Sequence, residues 1–160
     1  MIYRLWQLWR ALTARLSPVD VDFVRTQLTS AEYALFCRMP RYDQRHALDV
    51  AQLMAKHGTA DSAVLAMALL HDCGKTADNG APLGLWWYGV IVVLQRRPAW
   101  YTAATRWWEP VQRHAEHEQR SVHLAAQYGA RPAVCQWLQR LAEGHTTPEI
   151  ERFAWADNQC

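Results

Sequence analysis

The run Ala63–Leu70 constrains this chain more than any other segment. It reads AVLAMALL and is apolar at every position. A helix with no polar face has to be surrounded by other elements. His71 and Asp72 follow the run directly. The burial that the run demands therefore carries an ionisable pair to the end of an interior helix. An ionised carboxylate in such surroundings is costly unless it is paired or holds a metal.

The chain is long enough to build that surround. It has 160 residues and a mass of 18.5 kDa, one domain's worth. Apolar residues make up 51% and charged residues 20%, which argues against disorder and against a coiled coil. Lys and Arg number 17 against 15 Asp and Glu. That balance gives no reason to expect a nucleic-acid polymer as partner. The four cysteines, Cys37, Cys73, Cys135 and Cys160, form no CxxC pair, and no secretory signal pattern precedes them. They are expected to be reduced thiols of a cytoplasmic protein, and their spacing excludes a cysteine-cluster zinc site. The longest mostly apolar run, Ala81–Leu94, has 14 residues and contains Pro82, Gly84 and Gly89. It is too short to span a bilayer.

Helical spacing dominates, and strand alternation is weak, so the expected fold class is all-α: a single bundle of about seven to nine helices. Residues 1–40 are expected to form N-terminal helices packing on a core domain over 41–160. Within them, Ile2, Leu5, Trp9, Leu12 and Leu16 form one stripe with Arg4, Arg10 and Arg15 among them. Such a basic amphipathic helix packs on its own domain, on a homodimer partner, or as a peripheral contact on an anionic membrane. Ser17-Pro18 ends it and caps the next helix, and Thr29-x-x-Glu32 is a capping box for Ser30–Met39, stopped by Pro40. The next helix spans Arg41–Lys56 and carries His46. Thr59 or Asp61 caps the buried one. Leu83–Trp108 is an aromatic-rich hairpin about Arg96-Arg97-Pro98. One long helix is expected from Pro110 to Gly129, with His114, His117 and Ser121 on it. Another runs from Pro132 to Gly144. Thr147-Pro148-Glu149 starts the last helix, on which Asp157 shares a face with Ile150 and Phe153.

Asp157 thus repeats the problem posed by Asp72: a carboxylate on an inward face. Lysine is scarce, at two residues against 15 arginines, so ammonium partners are few. Arginine is one solution. A divalent cation shared by converging imidazoles and carboxylates is another, and it removes all of these costs together.

In order along the chain, the candidates are His46, His71-Asp72, His117, His145 and Asp157, in the strings QRHALDVA, LLHDCGK, HEQRSVHLAAQYG, EGHTTPE and FAWADNQ. This order resembles the HD-domain superfamily of metal-dependent phosphohydrolases. LLHDCGK is similar to the family string LLHDIGK, with Cys73 in place of Ile. HEQRSVHLAAQYG is similar to HPEIGAELAREYG, with Ser121 where a Gly is usual. FAWADNQ resembles the family's terminal Ala-Asp. The likeness covers about Arg41 to Asn158.

The resemblance implies that His46, His71, Asp72 and Asp157 are the core metal ligands. It implies that Asp72 bridges to a second ion, and that His117 and His145 match the extra ligands of the two-metal subgroup. Lys75 is implied as a catalytic and substrate-binding residue beside the phosphate, with Arg45 as a second phosphate contact. His145 is followed by Thr146 where a second His is common, so one or two ions per chain are both open. The ligand types suit Mn²⁺, Fe²⁺, Co²⁺, Ni²⁺ or Mg²⁺, with Zn²⁺ also accommodated. The implied reaction is hydrolysis of a small nucleotide or phosphate ester by hydroxide generated at the metal. Two alternatives stand beside it. One is a non-catalytic domain of the same fold that binds a partner or membrane through its tryptophans. The other is a hydrolase of symmetrical dinucleoside polyphosphates, suggested by GHTTPEIERFAWAD.

Overall fold

The structure, a computed structural model, describes residues 15–77 and 79–160. Its described residues form ten α-helices and one 3-10 turn, with no strand among them. The helices are α1 (Pro18–Gln27), α2 (Ser30–Arg38), α3 (Arg41–Lys56), α4 (Ser62–Leu70), α5 (Leu85–Gln95), α6 (Pro98–Ala104), α7 (Glu109–Ala115), α8 (His117–Gln127), α9 (Pro132–Ala142) and α10 (Pro148–Gln159). The 3-10 turn, Cys73–Lys75, follows α4. The fold is all-α. Most of the basic stripe expected over Ile2–Leu16 lies outside the described residues.

Local chemistry places the helix starts. Ser17 and Asp20 form one capping box and Thr29 and Glu32 another, each side chain satisfying an amide that the first turn leaves open. Asp61, rather than Thr59, caps α4 by accepting from the Ala63 amide at 2.7 Å. Thr147 caps α10, with Pro148 at its first position. Gly129 and Gly144 follow α8 and α9 at φ of 75° and 69°, where a side chain is disfavoured.

All eight residues of Ala63–Leu70 are buried. Helices α1, α2, α3 and α9 pack around α4, and α10 lies on α3. Each large side chain enclosed this way, such as Met67 or Leu69, contributes roughly 1.5–3 kcal/mol of transfer free energy. The described part of 1–40 shares this core, since Val24, Leu35 and Phe36 belong to the same buried cluster as α4. Glu32 is fully buried and fastens α2 to the start of α9. Its Oε1 accepts from the Arg131 backbone amide and from Arg131 Nε, both at 2.9 Å.

Two features depart from or extend the expectations. The single helix expected over Pro110–Gly129 is broken at Glu116 (φ −103°, ψ 6°) into α7 and α8, which raises the helix count to ten. At the break, His117 Nδ1–H donates to the His114 carbonyl at 2.6 Å and takes an acceptor that an unbroken helix would use in its own ladder. The aromatic segment is a helical hairpin, α5–α6, with a small separate core of Leu83, Ile91 and Ala104 that Val111 of α7 completes. No described helix is long and apolar enough to cross a membrane.

Candidate metal centre

Three separate elements bring the core candidates together. His46 comes from the second turn of α3, His71 and Asp72 from the exit of α4, and Asp157 from the last turn of α10. One ligand atom each from His46, His71 and Asp72 lies within 4.8 Å of the other two. Asp157 Oδ1 is 2.9 Å from His46 Nε2 and 3.6 Å from His71 Nε2. Asp72 Oδ1 is 3.4 Å from His71 Nε2 and 3.5 Å from His117 Nε2. Asp72 Oδ2 accepts from Lys75 Nζ at 2.6 Å.

The imidazoles are oriented by their outer nitrogens. His71 Nδ1–H donates to the Ala68 carbonyl at 2.8 Å, and His117 Nδ1–H to the His114 carbonyl at 2.6 Å. A carbonyl only accepts, so each ring carries its proton on Nδ1. In the neutral ring, the Nε2 lone pair then points at carboxylate oxygen. Burial, acting against the nearby Asp72 charge, lowers the pKa of both rings and favours that neutral form. Lone pairs facing carboxylates repel unless a cation lies between them. Second-layer carbonyls fix metal-binding imidazoles in this way, and the nitrogen and oxygen donors suit a divalent cation.

Charge at the site is organised around Asp72. Burial alone would raise its pKa, but His71, Lys75, His117 and His46 hold the carboxyl well below the usual range. Burial likewise opposes the charged form of Lys75, but Asp72 and Asp43 keep its pKa raised. At His46, burial is outweighed by the hydrogen bond to Asp157 and the charge of Asp72, so its pKa rises. A proton on His46 therefore occupies the edge where a cation would sit.

Two candidates do not reach the site. His145 is half exposed, pairs with Glu143 at 3.0 Å, and does not line the cavity that His46, His71, Asp72, Lys75, His117 and Asp157 line. It lies just beyond Gly144, where the chain turns off α9 at the surface. Arg45 is also turned away. Its guanidinium bonds Asp20 at 2.9 Å and Asp49 at 3.0 Å, fastening α1 to α3. One helical step separates it from His46, and that step places the two on different faces. Of the remaining residues weighed in the sequence, Cys73 is a packing group whose thiol burial pushes up to about 12. The His114 ring lies behind His117, 3.1 Å from the Tyr101 hydroxyl, and burial followed by Lys75 and His117 pushes it down to about 4.

Asp43 is the functional group that the sequence reading misses. It is buried at 4% exposure, one turn before His46 on α3. Among the described residues its side-chain donor is the Tyr88 hydroxyl, at 3.1 Å, and Tyr88 in turn lies under Lys75, 5.6 Å from its Nζ. Burial and then the charge of Asp72 push Asp43 up to about 7, against the pull of Lys75. In the sequence it is an ordinary acid in a helix's first turn; the spacing of three from His46 was the available signal. Because its folded pKa is raised, its ionisation destabilises the fold, starting near pH 4 and reaching full effect above about 7. Asp43→Asn is expected to stabilise the metal-free protein by roughly 1–3 kcal/mol at pH 8 and by almost nothing at pH 4. Urea unfolding at the two pH values measures this, and an equal effect at both would contradict it.

The cavity over these groups has a volume of about 500 Å³, and Glu118, Leu141, Phe153 and Asn158 complete much of its wall. That is room for a small phosphate ester beside the carboxylates and Lys75. Glu118 is a second acid not singled out in the sequence; burial and the charges of Asp72 and Asp157 raise its pKa. Compared with known proteins, the chain matches no family model, no curated protein and no solved structure.

Proposed function

We propose that this chain is a metal-dependent phosphohydrolase of HD-domain type acting on a small nucleotide or phosphate ester. The observation that carries the reading is the orientation of His71 and His117. Both commit Nδ1–H to backbone carbonyls and aim Nε2 at the Asp72 carboxylate. The ordered resemblance of LLHDCGK, HEQRSVHLAAQYG and FAWADNQ to the family supports it from the sequence side.

His46, His71, Asp72 and Asp157 would hold the ion. A divalent cation there supplies Lewis acidity at a phosphoryl oxygen and a more acidic water. Asp72 divides its oxygens, one toward the imidazoles and one toward Lys75. The ammonium of Lys75, fixed by Asp72 and by the face of Tyr88, offsets charge that builds on the phosphoryl oxygens. His117 adds one donor on the far side of Asp72. Without His145 the second set is incomplete, and the reading is one firmly held ion per chain.

The test loads the metal-stripped full chain with Mn²⁺, Fe²⁺, Co²⁺, Ni²⁺ or Mg²⁺, then measures bound metal and phosphate release from a panel of nucleotides and phosphate esters. About one ion per chain is expected, with hydrolysis that stops on chelation and returns on reloading. Stoichiometric metal with no hydrolysis of any ester would favour the non-catalytic binding domain, and absence of stoichiometric metal would sink both the site and the mechanism.

A further inference from the structure

The hairpin α5–α6 buries one side against its own small core and presents the other to solvent. Its outward side is not polar. Along α5, Trp86 and Val93 are 64% and 62% exposed, one heptad apart on the same face, and Gly89 between them is exposed as well. On α6 and just after it, Trp100 is 63% exposed, Trp107 83% and Trp108 46%. Five of the seven large hydrophobic residues exposed among the described residues thus fall within 86–108. Two of them flank the half-buried Trp87: the Trp86 and Trp87 ring centroids are 4.1 Å apart, and those of Trp87 and Trp108 5.9 Å. A face of this kind on a small domain marks an interaction surface.

Its charge identifies the partner. No Asp or Glu occurs between Asp78 and Glu109, while Arg96, Arg97 and Arg106 do. All three arginines are exposed, two of them at the hairpin tip, and Arg97 lies over the Trp100 ring at 5.5 Å. A second copy of the chain would set these cations against their equivalents across a two-fold axis, with no acid in the segment to balance them. Indole rings favour the boundary between hydrocarbon and water, and arginines beside them are attracted by anionic headgroups. The hairpin is too short to span a bilayer, so it would lie in the boundary layer.

We infer that the outer face of α5–α6, carried by Trp86, Trp100, Trp107, Arg96 and Arg97, docks on the surface of an anionic lipid bilayer. This rests on none of the metal chemistry, and the metal-free protein tests it. The inner side of the same hairpin carries Tyr88 to Asp43 and Tyr101 to His114, so the docking element touches two groups that lie next to the metal centre without lining its cavity.

The experiment is co-sedimentation of the full chain with vesicles of phosphatidylcholine alone or mixed with phosphatidylglycerol, at low and high salt. The wild type is compared with Trp86→Ser/Trp107→Ser and Arg96→Glu/Arg97→Glu. These side chains are exposed, and helix content by circular dichroism checks the fold of each variant. Binding is expected to favour the anionic vesicles and to weaken with salt. Each arginine is worth about fivefold near such a surface, so the charge reversal should reduce partitioning by at least about tenfold. The tryptophan pair should cause a loss of similar size, with a smaller blue shift of fluorescence. Absence of vesicle binding would overturn the inference, as would folded variants that partition like the wild type. A dimer that the tryptophan variants dissolve, without vesicle binding, would assign the face to a second copy and equally overturn it.

Discussion

Asp72→Asn is expected to remove the bound divalent cation and to lower hydrolysis by about a thousandfold or more, while the helical bundle survives. The residue is 1% exposed and sits among His71, Lys75 and His117. Asparagine keeps its shape and leaves an acceptor for Lys75 Nζ, whereas alanine would strand a mostly buried ammonium at a cost of about 3–5 kcal/mol. The amide variant therefore separates loss of the ion from loss of the fold. The depressed pKa of Asp72 means that its ionised form stabilises the protein above the unfolded carboxyl range, and that this contribution fades as pH falls through the folded value. Asp72→Asn should accordingly be somewhat less stable than wild type at pH 7 and nearly equal to it in acid. Lys75→Gln provides the contrast: the ion stays and turnover drops by about a hundredfold. Metal content by plasma mass spectrometry beside rates for both variants decides the matter. Full metal and full rate in Asp72→Asn would refute the mechanism.

Gly74→Ala is expected to be the most damaging small substitution, costing about 3–5 kcal/mol, or roughly 10–15 °C in melting temperature. A Cβ built at Gly74 lies 2.1 Å from the His117 carbonyl oxygen, 2.7 Å from the Ser121 amide nitrogen and 2.9 Å from Arg120 Cβ. Two of these are backbone atoms of α8 and cannot swing aside. The variant must push α8 away from the 3-10 turn, and that strains the bond from the Gly74 amide to Ser121 Oγ at 2.9 Å. The same hydroxyl donates to the His71 carbonyl at 2.7 Å, so the displacement also disturbs the residues that frame the site. Thermal melts with metal titration measure both effects; an unchanged melting temperature would show that α8 yields more easily than its backbone contacts imply.

Much of this architecture is legible in the sequence because its signals are local. Ser17, Thr29, Asp61 and Thr147 satisfy amides within their own first turns, so no distant residue changes their meaning. The apolar octet needed burial wherever it lay. Gly74 shows the limit of such reading: it looks like a helix stop, yet its smallness is required by a helix more than 40 residues away in the chain. His145 and Arg45 lie at plausible positions in a linear motif, but the five-residue connection 143–147 and a single helical step turn them toward other partners. The break at Glu116 is invisible for the same reason, since it depends on where His117 must aim its ring. Asp43 is hidden because an acid in a first turn is ordinary until Tyr88 and Asp72 enclose it.

The two separate hydrophobic clusters imply that this small protein does not melt as one cooperative block. The larger holds α4 and the helices around it; the lesser has, among the described residues, Leu83, Ile91, Ala104 and Val111 buried. A unit with so few interior side chains opens at a fraction of the global free energy. Amide protons of α5 and α6 should therefore exchange with solvent well ahead of those of α4. Each such excursion withdraws Tyr88 from Asp43 and from Lys75, while Leu70 and Cys73, which flank His71 and Asp72, stay in the larger cluster. Partial unfolding is thereby confined: the weaker unit can open and close without exposing the interior on which the donor atoms are mounted.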